Sequence, residues 1–288
     1  MFPSFNARAL GLKLTMDETL RLASQAGFSG IDVMVRDAIE EGVDFGETRR
    51  KMGDLGLRPG AFPFPFDWRG TAARFDEDLS RLAVYAKAAA KLEITRTGTW
   101  VMPEAPESLG SYEAAYDLHL HRLRLISVVL NDFGIRLGLE VIGVPSSRTR
   151  RGWPFIYRFD QIESIRGMIE RLGKVPIGLV VDSWHLYAAG EPISHALAWG
   201  VDKIVWVHVA DLPAGDSPDR STMIDSVRGL PGEHGAVPSR DLLAALKIQG
   251  YDGPVTAEPL AGCRSLAGLS PESVAEKTAR SLQAIWPD

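Results

Sequence analysis

The chain has 288 residues, 45% hydrophobic and 24% charged, with a net charge of −5 and one cysteine. Such a balance argues against broad nucleic-acid binding, which needs a strong basic footprint. No apolar run approaches the ~20 residues of a membrane span, and Cys263 has no partner for an internal disulfide.

Strand and helix signals alternate from the start. Ala9-Leu10-Gly11-Leu12 gives a weak first strand, and Asp17 precedes a helix whose core pattern is Leu20, Leu22 and Ala23. The turn Gly27-Phe28-Ser29-Gly30 leads into a second strand, Ile31-Asp32-Val33-Met34. Phe45 to Leu55 reads as a helix, and Gly56 to Phe62 carries a third strand. The loop that follows, Pro63-Phe64-Pro65-Phe66-Asp67-Trp68, is strongly aromatic. An alanine- and leucine-rich helix from Asp76 to Lys91 precedes a fourth strand, Glu93 to Val101, and Ser111-Tyr112-Glu113 opens a long helix to about Asn131. Strand five ends at Glu140, and a helix runs from about Asp160 to Arg171. Strand six then ends at Asp182, and a short helix lies around Ile193 to Trp199. Strand seven ends near His208, Ser239 begins another helix, strand eight ends at Glu258, and Pro271 opens the last helix.

Eight strand–helix units in alternation imply a parallel sheet with helical crossovers. No linker or composition shift divides the chain, so the expected architecture is α/β, a single (β/α)8 TIM barrel over residues 1–288. Two loops are longer than connectors need to be. Val144 to Tyr157 carries Arg148, Arg150, Arg151 and Trp153, and Leu212 to Gly235 ends in Pro231-Gly232-Glu233-His234-Gly235. Both follow strands with ligand-type residues at their ends, so they read as lids or substrate-binding loops. The arginine cluster either binds a phosphate or carboxylate or is a solvated loop.

The four later strands each end a run of mostly β-branched apolar residues on an acid or an imidazole: Glu140, Asp182, His208 and Glu258. Any one of these alone is as readily a helix cap or a satisfied polar group. Four successive strands presenting such a group at the same level point to one divalent cation at the catalytic face of the barrel. Oxygen donors with one imidazole suit Mn²⁺, Mg²⁺, Co²⁺ or Fe²⁺, with Zn²⁺ the further candidate. His185, three residues beyond Asp182, is a candidate substrate contact. His119, His121 and His195 read as structural or exposed, and Cys263 as a plain buried or surface thiol. Phe64, Phe66 and Trp68, with Trp100, form either an apolar wall of the site or ordinary barrel-top core.

With Glu140, the Asp182-x-x-His185 step, His208-x-x-Asp211, Arg228 before Pro231-Gly232, and Glu258-Pro259, the chain resembles the xylose-isomerase-like TIM-barrel superfamily. More narrowly it resembles the sugar phosphate isomerase/epimerase group. The motifs cover the second half of the chain; the first half matches only in its strand–helix rhythm. The resemblance implies a metal site of Glu140, Asp182, His208 and Glu258, with the two glutamates also acting as the acid/base pair. It implies substrate contacts from His185 and Arg228. The implied reaction is isomerisation or epimerisation of a sugar or sugar phosphate, with proton transfer alpha to a carbonyl through an enediolate. Members are often homodimers or tetramers.

Two places depart from that pattern. Ketose 3-epimerases carry a further Glu within a Glu-x-x-Asn-Arg-x-Glu stretch, where this chain has Gly143, Val144 and Ser146, and the later loop reads Pro-Gly-Glu-His-Gly. A metal-dependent dehydratase of inosose or dehydroshikimate type is therefore the alternative reaction. An endonuclease IV-like phosphodiesterase would need early histidines, and no histidine precedes His119. A non-catalytic sugar-binding barrel would have no reason to keep all four ligands. The N-terminus, Met1 to Asn6, has neither a basic nor an apolar targeting region. A cytoplasmic protein with a small-molecule partner, no nucleic acid and no membrane is the expectation.

Overall fold

The computed structural model describes residues 1–149, 151–172 and 177–288. Arg150, the middle residue of the arginine cluster, lies outside them.

The first strand, β1, is Phe2–Phe5 and not the expected Ala9–Leu12. Pro3 disguises it in the sequence, since proline offers no ladder N–H, yet β1 pairs in parallel on both sides. Residues 9–12 instead fold as a tight turn, with Leu10 and Gly11 N–H groups donating to the Ala7 and Arg8 carbonyls and Gly11 at φ 73°. The next strands are β2 (Gly30–Ile31) and β3, a run over 58–63 with paired segments Arg58–Pro59 and Phe62–Pro63. They are followed by β4 (Arg96–Trp100), β5 (Arg136–Glu140), β6 (Ile177–Asp182), β7 (Ile204–Val209) and β8 (Pro254–Ala257).

All of these pair in parallel, and the ring closes through two seams. β8 lies between β7 and β1. The lower half of β3 pairs with β2 and its upper half with β4. This is a parallel β-barrel with an outer helical layer, as the alternation predicts.

Inside it, Trp206 packs with Val180 and Ala61. Two strand glycines make that filling possible: a β-carbon on Gly98 would lie 2.7 Å from Val180 and 3.1 Å from Trp206, and one on Gly138 would lie 2.9 Å from Val180. At the opposite end from the site, Arg96 and Arg136 donate to the Val205 and Ile204 carbonyls at 3.0 and 2.7 Å.

The helices are α1 (Met16–Gln25), α2 (Val35–Glu40), α3 (Phe45–Asp54), α4 (Ala72–Lys91), α5 (Tyr112–Asn131), α6 (Phe159–Leu172), α7 (Ser183–Ala189), α8 (Ile193–Leu197), α9 (Ser239–Ile248) and α10 (Pro271–Ile285). Side-chain oxygens start several of them: Thr15 and Glu18 form a capping box on α1, and Thr71, Ser111 and Ser270 cap α4, α5 and α10. Two of these caps correct the sequence reading. Asp17 lies inside the first turn of α1, and α4 begins four residues before the expected Asp76 because Thr71 supplies its cap. Among the described residues no helix is long and apolar enough to cross a membrane.

Described residues of both long loops are tied to their surroundings. Trp153–Pro154 pairs antiparallel with Glu104–Ala105, joining the loop after β5 to the one after β4. The loop after β7 is gathered by the buried Asp211 carboxylate. Its Oδ1 accepts the Leu212 and Val237 N–H groups at 2.8 and 3.0 Å, and its Oδ2 those of His234 and Gly235 at 3.2 and 2.6 Å.

Candidate metal centre and active-site cavity

Glu140 closes β5, Asp182 closes β6, His208 lies in β7 and Glu258 follows β8. Parallel strands in register bring these positions to one end of the barrel: Asp182 pairs directly with His208, and Glu258 donates its backbone N–H to Val209. One ligand atom from each of the four lies within 4.8 Å of all the others. His208 Nδ1 is the hub, 3.1 Å from Glu140 Oε1 and 3.4 Å from Glu258 Oε2. The two glutamates thus share one imidazole nitrogen.

Asp182 has a second task, accepting the Trp184 N–H at 2.8 Å and so capping α7. That helix leaves the strand without a loop, a turn that sequence periodicity did not signal. It places His185 beside the cluster, with Nε2 3.7 Å from Asp182 Oδ2. His185 Nε2 also faces Arg228 Nη2 at 3.1 Å. A guanidinium only donates, so this nitrogen accepts and the His185 proton sits on Nδ1.

Arg228 is almost wholly buried, at 2% exposure. Its Nη1 donates to Asp182 Oδ2 and Glu258 Oε2, each at 2.9 Å, and its Nη2 to Asp225 Oδ1 at 2.5 Å. Nη1 is therefore turned to the cluster, while Nε and Nη2 are turned to Asp225 and His185. Asp225 is a member that sequence reasoning missed. It belongs to a loop with no periodicity, and only the length of that loop marked it as functional.

The electrostatics follow from gathering three carboxylates around one imidazole in a buried place. Burial pushes the Glu140 carboxyl up, against the pull of His208. Burial would do the same to Glu258, but His208 and Arg228 bring it down to about 2. Burial disfavours the His208 imidazolium, yet the Glu258 and Glu140 carboxylates hold it well above its ordinary range. The cluster thus draws positive charge to itself, and a divalent cation is the group that an oxygen-rich set with one imidazole accommodates. On this donor chemistry the four residues fit such an ion.

Above the cluster opens a cavity of about 640 Å³, lined in part by Glu140, His185, Asp225, Arg228, Glu258 and Trp100. Trp100 is 40% exposed there, and the Arg69 guanidinium stacks on its ring at 3.4 Å. Burial lowers Arg69 to about 10 even with Asp67 beside it. The two predicted tryptophans part company here. Trp68 is fully buried, donates Nε1–H to Thr99 Oγ1 at 2.9 Å, and meets His119 edge-on at 4.9 Å. Its place is the core behind the wall and not the wall itself.

Arg148 and Arg151 also fall outside the cavity lining, and Arg148 stacks over Tyr157 at 4.4 Å. His119 is buried, His121 and His195 are exposed, and Cys263 is buried with Sγ 3.3 Å from Ser265 Oγ.

Comparison with known proteins agrees with this fold. Residues 20–285 match the family described as xylose isomerase-like TIM barrel. An inosose isomerase from Halalkalibacterium halodurans is 32% identical over 136 residues, which is 46% of this chain and 42% of that protein. A 3-dehydroshikimate dehydratase from Pseudomonas aeruginosa is 28% identical over 261 residues, 86% of this chain and 37% of that protein. Each match thus spans less than half the length of the curated relative. Among solved structures, a xylose isomerase domain protein from Alicyclobacillus acidocaldarius superposes with a TM-score of 0.83 at 26% identity, covering 98% of this chain and 97% of the other. The IOLI protein, solved with a bound zinc atom, superposes with a TM-score of 0.79 over 99% of this chain and 98% of its own. At 18% identity that second likeness is one of fold.

Proposed function

Because the chain belongs to the xylose isomerase-like TIM barrel family, we propose that it is a divalent-metal-dependent isomerase or epimerase of a sugar or sugar derivative. The observation that carries this reading is the pair Glu140 and Glu258, both within 3.4 Å of one imidazole nitrogen and both lining the cavity. Glu140, Asp182, His208 and Glu258 would hold the cation, which supplies Lewis-acid polarisation of a carbonyl and a template for a neighbouring hydroxyl.

The chain's own groups do the rest. One glutamate takes the proton alpha to the carbonyl and the other returns a proton from its own side, giving an epimer or, at the neighbouring carbon, an isomer. Arg228 stands where negative charge on the substrate oxygens develops, and His185 lines the same cavity as a substrate contact. Trp100, with Arg69 stacked on it, offers a flat face to the C–H surface of a sugar ring.

The likeness to a dehydroshikimate dehydratase over 86% of the chain favours a second reading. Proton removal is the same there, but a beta hydroxyl then leaves as water. Deuterium incorporation decides between them. Protein loaded with Mn²⁺ is incubated in D₂O with D-fructose and with an inosose. Deuterium at the alpha carbon of an isomeric product supports the first reading, and a product lighter by one water supports the second. Glu140→Gln should lower either rate by at least about 10²-fold. Absence of exchange, together with absence of Mn²⁺ uptake, would overturn both.

A further inference from the structure

Arg228 poses an electrostatic problem for the site. Its guanidinium sits against Asp182 and Glu258, two of the four proposed ligands, and a fixed positive charge there opposes a dication. Glu258 Oε2 is even shared, 2.9 Å from Arg228 Nη1 and 3.4 Å from His208 Nδ1. A guanidinium moving one bond further toward the cluster would cover the oxygens that a cation needs.

Asp225 is the group that holds it back. Its side chain takes Arg228 Nη2–H at 2.5 Å and its backbone carbonyl takes Nε–H at 2.9 Å, gripping the guanidinium on the side away from Glu258. The same Oδ1 stands 3.5 Å from His185 Nε2, so carboxylate and imidazole accept from the same guanidinium nitrogen, Arg228 Nη2. Its side chain is 45% exposed and lines the cavity, reaching in from the loop that Asp211 gathers.

We infer that Asp225 is a positioning residue for the metal centre: it anchors and neutralises Arg228 so that Asp182 and Glu258 stay available to a divalent cation. This rests on the metal reading given above. With Asp225 counted, the site holds four carboxylates, three of them bonded to the guanidinium, leaving net negative charge for a dication. Without it, Arg228 is a competitor for the same oxygens.

Mn²⁺ alone is the probe, titrated calorimetrically into metal-free protein. Wild type should bind one equivalent, and Asp225→Asn should raise the Kd about tenfold or more with the stoichiometry unchanged. Asp225→Glu, which keeps the charge and can reach the same nitrogens, should recover most of the affinity. The urea midpoint of the metal-free protein should be the same in all three, since the effect belongs to the cation and not to the fold.

Arg228→Gln closes a double-mutant cycle. In that background Asp225→Asn should change the Kd little, because the competitor is gone. If Arg228→Gln does not fold, the Asn and Glu pair at Asp225 still decides. An unchanged Kd in Asp225→Asn, or an equal loss in Asp225→Glu, overturns the inference while leaving the metal site standing. Wild type that binds no Mn²⁺ overturns the metal site and the inference together.

Discussion

A β-carbon placed on Gly143 would lie 2.1 Å from the carbonyl oxygen of His185. The segment after β5 therefore runs directly against the first turn of α7, backbone to backbone, and any larger residue would drive the two apart. In the sequence Gly143 stands out only as a departure from the pattern of ketose 3-epimerases. The structure gives the departure a cause, since close approach is what lets α7 carry His185 beside Glu140. Ser146, in the next turn, then stands where that pattern has a glutamate.

Gly143→Ala should accordingly cost about 1–3 kcal/mol, the usual penalty of overpacking where no flexible side chain can yield. Urea unfolding measures it as a lowered midpoint at constant m-value. Gly167→Ala, on the interior of α6, is the comparison. There, among the described residues, the nearest atom is an Arg171 side-chain nitrogen at 3.8 Å, and the change should stabilise by about 0.5–1 kcal/mol. Equal effects at the two sites would remove the packing argument.

The core strands of the second half were legible because burial on both faces forces near-continuous β-branched runs, and each run stops on a residue that chemistry wants. The same logic fails at β1, where Pro3 and Ser4 break the run, and at β2 and β3, where only two residues at a time keep the ladder. The partners of the ligand set were less legible. Arg228 was found through a family motif, but its bonds to Asp182 and Glu258, and the existence of Asp225 as its anchor, depend on how a long loop folds back. Trp68 shows the opposite failure: an aromatic next to the site in sequence is behind it in space, because the residue that faces it is Thr99 and not solvent.

His119 gives a pH-dependent contribution to stability. Burial lowers it from 6.5 to about 4, although Nδ1–H donates to the Ala115 carbonyl at 2.8 Å. With Nε2 accepting the Met102 N–H at 3.4 Å, the neutral ring is satisfied on both sides. The folded pKa is below the unfolded one, so between these values the unfolded chain binds more protons. The contribution is complete above about 6.5 and is lost as pH falls toward about 4, amounting to up to about 3 kcal/mol. Urea midpoints at pH 7 and pH 5 should differ more in wild type than in His119→Gln, which has no proton to gain. Parallel pH slopes in the two proteins would show that His119 is not the group responsible.

Asp211 governs the loop on which the site depends. Its carboxylate accepts four backbone N–H groups, and its own N–H and carbonyl bridge to Gly229, the residue after Arg228. That bridge is tight, since a β-carbon on Gly229 would meet the Leu212 carbonyl oxygen at 2.6 Å. Asp211→Asn presents an amide NH₂ to N–H donors, leaving two of them without an acceptor, at about 1–3 kcal/mol for each that stays buried. The loop can escape this cost by opening to water, so the loss should appear first as local unfolding and only partly in the global midpoint. Hydrogen exchange is the direct measurement: the His234, Gly235 and Val237 amides should lose protection while those of β6 and β7 keep theirs. Because the same loop delivers Asp225 and Arg228, Mn²⁺ affinity should fall in parallel with protection. Exchange that stays at wild-type rates would mean that the backbone holds this loop without the carboxylate. The anchoring of Arg228 would then have to be sought in the Asp211–Gly229 bridge alone.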